Sequence, residues 1–112
     1  MERHGRVIRL KAEKLEEYRR LHAAVWPGVL ETISRCNIRN YSIFLQQLDD
    51  GHHYLFSYFE YCGSDFAADM ARMAADPTTQ RWWKLTDPCQ EPVGTRAPGQ
   101  WWAEMDEVFH HD

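Results

Sequence analysis

Tyr18 and His22 stand four residues apart in the stretch Glu17-Tyr18-Arg19-Arg20-Leu21-His22-Ala23-Ala24-Val25-Trp26-Pro27. On a helix that spacing puts both side chains on one face, one turn apart. An imidazole with an ordinary pKa of about 6.5 then lies beside a phenol on a rigid element, able to give or take a proton near neutral pH. Such a pair can bind and protonate a small polyol. It can equally pack in a core with its polar atoms satisfied. A second cluster is Trp82-Trp83. Helical neighbours splay by about 100°, so one indole can pack inward while the other offers a flat face to a ligand. Both can instead serve a core or a subunit interface. A pyranose suits such a site: its C–H face stacks on an indole, and its hydroxyls bond Tyr, His and carboxylate groups.

Other chemistries find less support. His52 and His53 are adjacent in a predicted strand and point to opposite faces, His110 and His111 end the chain, and no His-x-x-x-His occurs. No metal site is expected. Cys36, Cys62 and Cys89 are widely spaced and form no CxxC, which argues against zinc and against a disulfide framework. A Gly-x-Ser-x-Gly elbow is absent, and the glycines are too scattered to cradle phosphate.

The 112 residues suggest one domain spanning 1–112, long enough to bury a core without staples. Thirteen Lys and Arg against 17 Asp and Glu give a net charge of −4, the wrong sign for nucleic acid or an anionic membrane. The first residues, Met1-Glu2-Arg3-His4-Gly5-Arg6, carry no apolar signal segment. No run approaches the ~20 apolar residues of a membrane helix. A reducing, cytoplasmic setting is expected. Aromatic residues make up 13% of the chain, which raises the case for a sugar-like or aromatic ligand, or a protein interface.

The elements that must position Tyr18 and His22 can be read from periodicity. Residues 5–11 form a β-branched strand. Residues 11–36 are helical, with Leu15, Tyr18, His22, Val25, Val29 and Ile33 as one stripe; Pro27 kinks or breaks the rod near Trp26. Residues 37–40 connect to a strand over 41–48, Asp49-Asp50-Gly51 turns, and 53–61 is the returning strand. Both strands are apolar on both faces. One helical layer covers only one face, so a second subunit is expected on the other. Ser64 caps a helix bearing Phe66, Met70 and Met73, which ends at Asp76-Pro77. Thr78 or Thr79 caps a short helix over 80–86, 88–99 is a loop, and 100–109 returns as an edge or site-lining strand. The order is βαββαβ, an α+β, ferredoxin-like arrangement: an antiparallel sheet with helices on one face.

Four blocks now stand in order: Glu17-Tyr18-Arg19-x-x-His22-x-x-Val25-Trp26-Pro27, Asn40-Tyr41-Ser42-Ile43, Gln80-Arg81-Trp82-Trp83-Lys84, and Glu107-Val108-Phe109. Together they resemble the L-rhamnose mutarotase family along essentially the whole chain. The resemblance implies a homodimeric α+β barrel that interconverts the α and β anomers of a 6-deoxy-hexose. It implies His22 as the proton donor, with Tyr18, Tyr41, Trp82 and Trp83 lining the sugar site. Relatives of the family are also associated with L-fucose. The loop from Pro88 to Trp102 and the hairpin tip at His52-His53 depart from the family pattern, and the loop could choose between the two sugars.

Mutarotation needs a proton delivered to the ring oxygen and one removed from the anomeric hydroxyl, and no cofactor. His22 is expected to serve the ring oxygen while Tyr18 orients it or the sugar; Asp106, Glu107 or a water is the base. General acid–base assistance of this kind is worth ~10²–10⁴-fold. Two rivals use the same elements: a cofactor-free monooxygenase of the dimeric α+β barrel type, which would consume oxygen, and a non-catalytic sugar-binding module.

Overall fold

A computed structural model describes residues 1–112. In order, the elements are β1 (Glu2–Leu10), α1 (Leu15–His22), α2 (Pro27–Arg35), β2 (Ile38–Gln47), β3 (His53–Tyr61), α3 (Phe66–Ala75), α4 (Pro77–Thr86), β4 (Gln90–Glu91) and β5 (Ala103–Met105). All strand pairs are antiparallel, in the order β2-β3-β1-β4, with β5 also on β1.

The first helical stretch is two helices. Residues 23–26 are not helical, and Trp26 is extended (ψ 134) before Pro27 opens α2 at its first position. A proline there loses nothing, because the first amides of a helix have no intrahelical acceptor. β1 starts at Glu2 rather than Gly5, since its whole length pairs with β3 from Glu2↔Tyr61 to Leu10↔His53. β2 also starts early, at Ile38. Asn37 and Asn40 take positive φ (66° and 50°), and the register slips between Arg39 and Ser42. Asparagine tolerates that conformation better than most residues. The bulge has a consequence for the site. Ile38 and Tyr41 are an odd number of residues apart, yet both now face the helices, where Tyr41 meets Phe59 and Ile38 is buried.

Two expected caps are replaced by neighbours. Asp65, not Ser64, accepts the Ala68 amide (3.1 Å) at the start of α3. Asp76 rather than Thr78 or Thr79 caps α4, accepting the Thr79 amide and hydroxyl at 2.9 Å each, so α4 begins three residues earlier than expected. A carboxylate at a helix start satisfies a free amide and also favours the dipole. The expected strand over 100–109 is only Ala103–Met105, and two residues of the expected loop, Gln90 and Glu91, pair with Leu10 and Arg9.

Helices cover one face of the sheet. Ile8, Leu10 and Leu55 pack there with Tyr18 and Cys89 at one end; Ile38, Phe59 and Tyr61 pack with Ile33, Phe66, Met70 and Met73 at the other. Burying each such aliphatic side chain contributes roughly 1.5–3 kcal/mol. The second end is tied by a polar knot. Asp69 accepts from the Tyr61 hydroxyl (2.5 Å), Asn37 Nδ2 (2.9 Å) and Arg72 (2.7 and 3.1 Å), joining β3, α3 and the entry to β2. The opposite face carries Phe44, Phe56, Val7 and Ala103 in one cross-strand row, with Phe44 63% exposed.

Candidate active site

Beside the first packed end, α1 stands off the sheet over an open cavity of about 340 Å³, lined by Tyr18, Arg19, His22 and Ala23 above and Ile43, Leu45 and Leu55 below. That volume is at the small end of ligand pockets, suited to a ligand of a few rings or fewer.

The i, i+4 spacing does what helical geometry requires. The Tyr18 and His22 rings stack with centroids 4.1 Å apart and planes 27° from parallel. His22 Nδ1 lies 2.9 Å from the Tyr18 carbonyl oxygen. A carbonyl only accepts, so Nδ1 carries the hydrogen and, in the neutral ring, Nε2 is left with its lone pair. Burial holds the His22 pKa below its ordinary value of 6.5, opposed by the bond to the Tyr18 carbonyl. At neutral pH the ring is therefore an uncharged acceptor at Nε2. Trp82 closes over it edge-on (5.4 Å) and is itself met by Trp26 (5.2 Å).

Tyr18 is buried, and its hydroxyl accepts from Gln90 Nε2 at 3.2 Å. Gln90 is held in turn by Trp101, whose Nε1 donates to Oε1 at 2.7 Å. Burial raises the Tyr18 phenol far above its usual range, so it stays protonated with its own hydrogen free to donate.

The tertiary fold brings the expected residues together unequally. Tyr18, His22 and Trp82 form one contiguous stack. Of the tryptophan pair, Trp82 is buried and Trp83 half-buried, as their splay requires. Tyr41 is 42% exposed on the helix-facing side of β2, its ring 5.5 Å from Phe59. Desolvation raises the phenol's pKa, with the Arg6 charge opposing. The two carboxylates expected as bases go elsewhere. Glu107 is bonded by Arg3 (2.7 and 3.0 Å), and Asp106 is exposed in the tail beyond β5. Glu104, unremarked in the sequence, shares the helix-facing side with the cavity because it pairs with Arg6. Gln90 was equally hidden, since nothing local in a Pro/Gly-rich loop marks a residue that reaches back 72 positions to Tyr18. The strand alternation around 100–109 was the one signal that could have singled out Glu104.

The sequence model of the L-rhamnose mutarotase family matches residues 3–111. Proteins named L-rhamnose mutarotase from Oceanobacillus iheyensis and Bacillus subtilis are each 30% identical over 112 residues, covering 100% of both chains. One from Listeria monocytogenes is 31% identical over 110 residues, 98% of each chain. Among solved structures, an L-rhamnose mutarotase from Formosa agariphila superposes over 100% of both chains with a TM-score of 0.73 at 19% identity. Tetracenomycin F2 cyclase from Streptomyces glaucescens does so with a TM-score of 0.69 at 14% identity. At those identities the two structures speak to the fold, an antiparallel sheet backed by helices, and the end-to-end sequence matches speak to kinship: the chain belongs to the L-rhamnose mutarotase family.

Proposed function

We propose that this protein is an isomerase that interconverts the α and β anomers of L-rhamnose, with His22 carrying the proton. Kinship supports the reaction and the sugar. The observation that carries the residue assignment is the imidazole on the cavity wall, its Nδ1 committed to the Tyr18 carbonyl and its Nε2 left to act.

In the closed pyranose, the anomeric oxygen and the ring oxygen are both bonded to C1. Neutral Nε2 takes the anomeric proton. The C1–ring oxygen bond breaks as C1 and the anomeric oxygen become an aldehyde, and the electron pair left on the ring oxygen takes the proton back from the imidazolium. Rotation about C1–C2 presents the other aldehyde face, and the same steps reversed close the ring as the other anomer. Protons and electrons balance without an oxidant. One imidazole serves as base and then as acid, so no carboxylate is needed in the cavity. Stacking on Tyr18 and the Trp82 edge hold the ring in one orientation, which limits the reorganisation left for the reacting pair. The Tyr18 hydrogen donates to a sugar oxygen, and Tyr41, Trp82 and Trp83, none of which lines the cavity itself, are assigned to the sugar site by the family resemblance.

The protein works as a homodimer in this reading. Phe44, Phe56, Val7 and Met105 share the outer sheet face, rimmed by the Arg3–Glu107 and Arg9–Glu91 pairs. Beyond it Val108 and Phe109 are 94% and 80% exposed. A second copy covering this surface would remove an apolar patch that single soluble chains seldom leave open. No helix is long and apolar enough to cross a membrane. The unbonded cysteines, with Cys36 and Cys89 buried, fit a reducing compartment such as the cytoplasm.

The test is anomer exchange measured by NMR saturation transfer on L-rhamnose and, in parallel, L-fucose. Wild-type protein should accelerate exchange of L-rhamnose and His22→Ala should not. An active His22→Ala variant removes the imidazole from the chemistry.

A further inference from the structure

Beside the apolar cavity floor lies a polar row that the mechanism leaves unused. Cross-strand register makes Ile43, Ser57, Arg6 and Glu104 one row across four strands, on the side facing the helices. This row lies next to the row of Leu45, Leu55 and Ile8, whose first two members floor the cavity together with Ile43. Strands lie about 4.8 Å apart, so Arg6 is two strands, roughly 10 Å, from the apolar floor residue Ile43 of its own row.

Arg6 is braced rather than free. Its Nε donates to Glu104 Oε2 at 2.8 Å, and its guanidinium sits over the Phe59 ring at 5.0 Å. Glu104 is held from its other oxygen by His4 Nδ1 at 2.8 Å. His4 is clamped in turn between Phe59 (4.9 Å, 17°) and Phe66 (4.4 Å, 11°), with Nε2 against Glu2 at 3.1 Å. Arg6 commits only its Nε to a side chain, and the two terminal nitrogens of its fork remain available beside Tyr41, whose phenol its charge stabilises in ionised form. A bidentate fork pre-set in this way, next to a carboxylate that burial pushes up but bonds to His4 and Arg6 hold below its usual range, offers donors and an acceptor side by side. Two adjacent hydroxyls of a sugar present the complementary set. The charges of Arg6 and Glu104 cancel, which suits an uncharged polyol better than an acidic one.

We propose that Arg6 and Glu104 form a clamp for two adjacent hydroxyls among O2, O3 and O4 of the sugar, so that this pair, on the row beside the cavity floor, sets which hexose is accepted. The inference rests on the cavity being the sugar site. The plain alternative is a cross-strand ion pair that only pins β5 to β1.

The experiment separates these readings. Exchange rates are measured for L-rhamnose and its 2-deoxy, 3-deoxy and 4-deoxy derivatives with wild type, Arg6→Lys and Glu104→Gln, and melting temperatures are taken alongside. Wild type should lose about 10–100-fold in kcat/KM on the two derivatives that lack a clamped hydroxyl, the range for hydrogen bonds to charged groups. Arg6→Lys keeps the charge and loses the fork; it should lose a similar factor on L-rhamnose, mostly in KM, and little more on those two derivatives. Glu104→Gln should behave alike. Losses that simply multiply across sugars, or variants that melt earlier with unchanged sugar preference, would overturn the clamp in favour of the pinning role. A wild type that exchanges no sugar at all would instead refute the proposed reaction.

Discussion

Replacing Tyr18 by phenylalanine removes one oxygen and tests two roles at once. The phenyl ring keeps its stack on His22 (4.1 Å). What disappears is the acceptor of Gln90 Nε2, 3.2 Å away, at a site where both residues are buried. Gln90 cannot swing to another partner without abandoning Trp101, which donates to its Oε1 at 2.7 Å. One buried amide N–H is orphaned, at a cost of about 1–3 kcal/mol. For a chain of this length that lowers the melting temperature by roughly 4–12 °C. If the phenol also donates to the sugar, KM for L-rhamnose should rise about 3–10-fold, the worth of a neutral hydrogen bond. Adding Gln90→Leu removes the orphan, while Trp101, 43% exposed, can turn its N–H to water. The double variant should regain much of the lost melting temperature and none of the lost affinity, a non-additivity read from the full cycle. A Tyr18→Phe protein that melts within about 1 °C of wild type would refute the buried-bond reasoning. A double variant that recovers affinity along with stability would show that the hydroxyl only holds Gln90 in place.

Substituting His22 by glutamine should slow anomer exchange by ~10²–10⁴-fold. In wild type, burial favours the neutral imidazole, so protonation waits until the pH falls through a value below 6.5; the rate should be flat above neutrality and fall on that acid limb, and a midpoint at or above 6.5 would contradict the buried neutral base. Asp69 sits at about 2 against an ordinary 3.8, held down first by the Tyr61 hydroxyl, then by Asn37 and Arg72. A depressed carboxylate contributes stability that is full above 3.8 and lost as the pH drops toward about 2. Acid unfolding followed by tryptophan fluorescence should therefore steepen across that window, and Asp69→Asn should be less stable at neutral pH yet flatter below 4. Phe44→Glu places a charge on the outer sheet face and should halve the mass seen by sedimentation velocity; a wild type that already sediments as a single chain would remove the dimer.

Local sequence carried a good part of this molecule. The helical stripe through Tyr18 and His22, the Asp49-Asp50-Gly51 turn, the strand over 53–61 and the break before Pro27 are short-range effects, set by side-chain period and backbone sterics, and each stands where expected, while the strand before the turn starts three residues early at Ile38. The stack of imidazole on phenol follows from the same helical geometry. Partners that depend on distant register were not legible. Nothing near Gln90 says that it caps the Tyr18 hydroxyl, and nothing near the tail says that Glu107 turns to Arg3 on the outer face while Glu104 turns inward. In a strand, one step of register exchanges the faces of every side chain, and that step is fixed by how β5 docks on β1 and not by the residues of β5 alone. The bulge before Ser42 acts in the same way, since it turns Tyr41 toward the helices only once β2 has paired with β3. Which residue could move a proton was thus written in the chain, and which groups face it was decided when the strands found their partners.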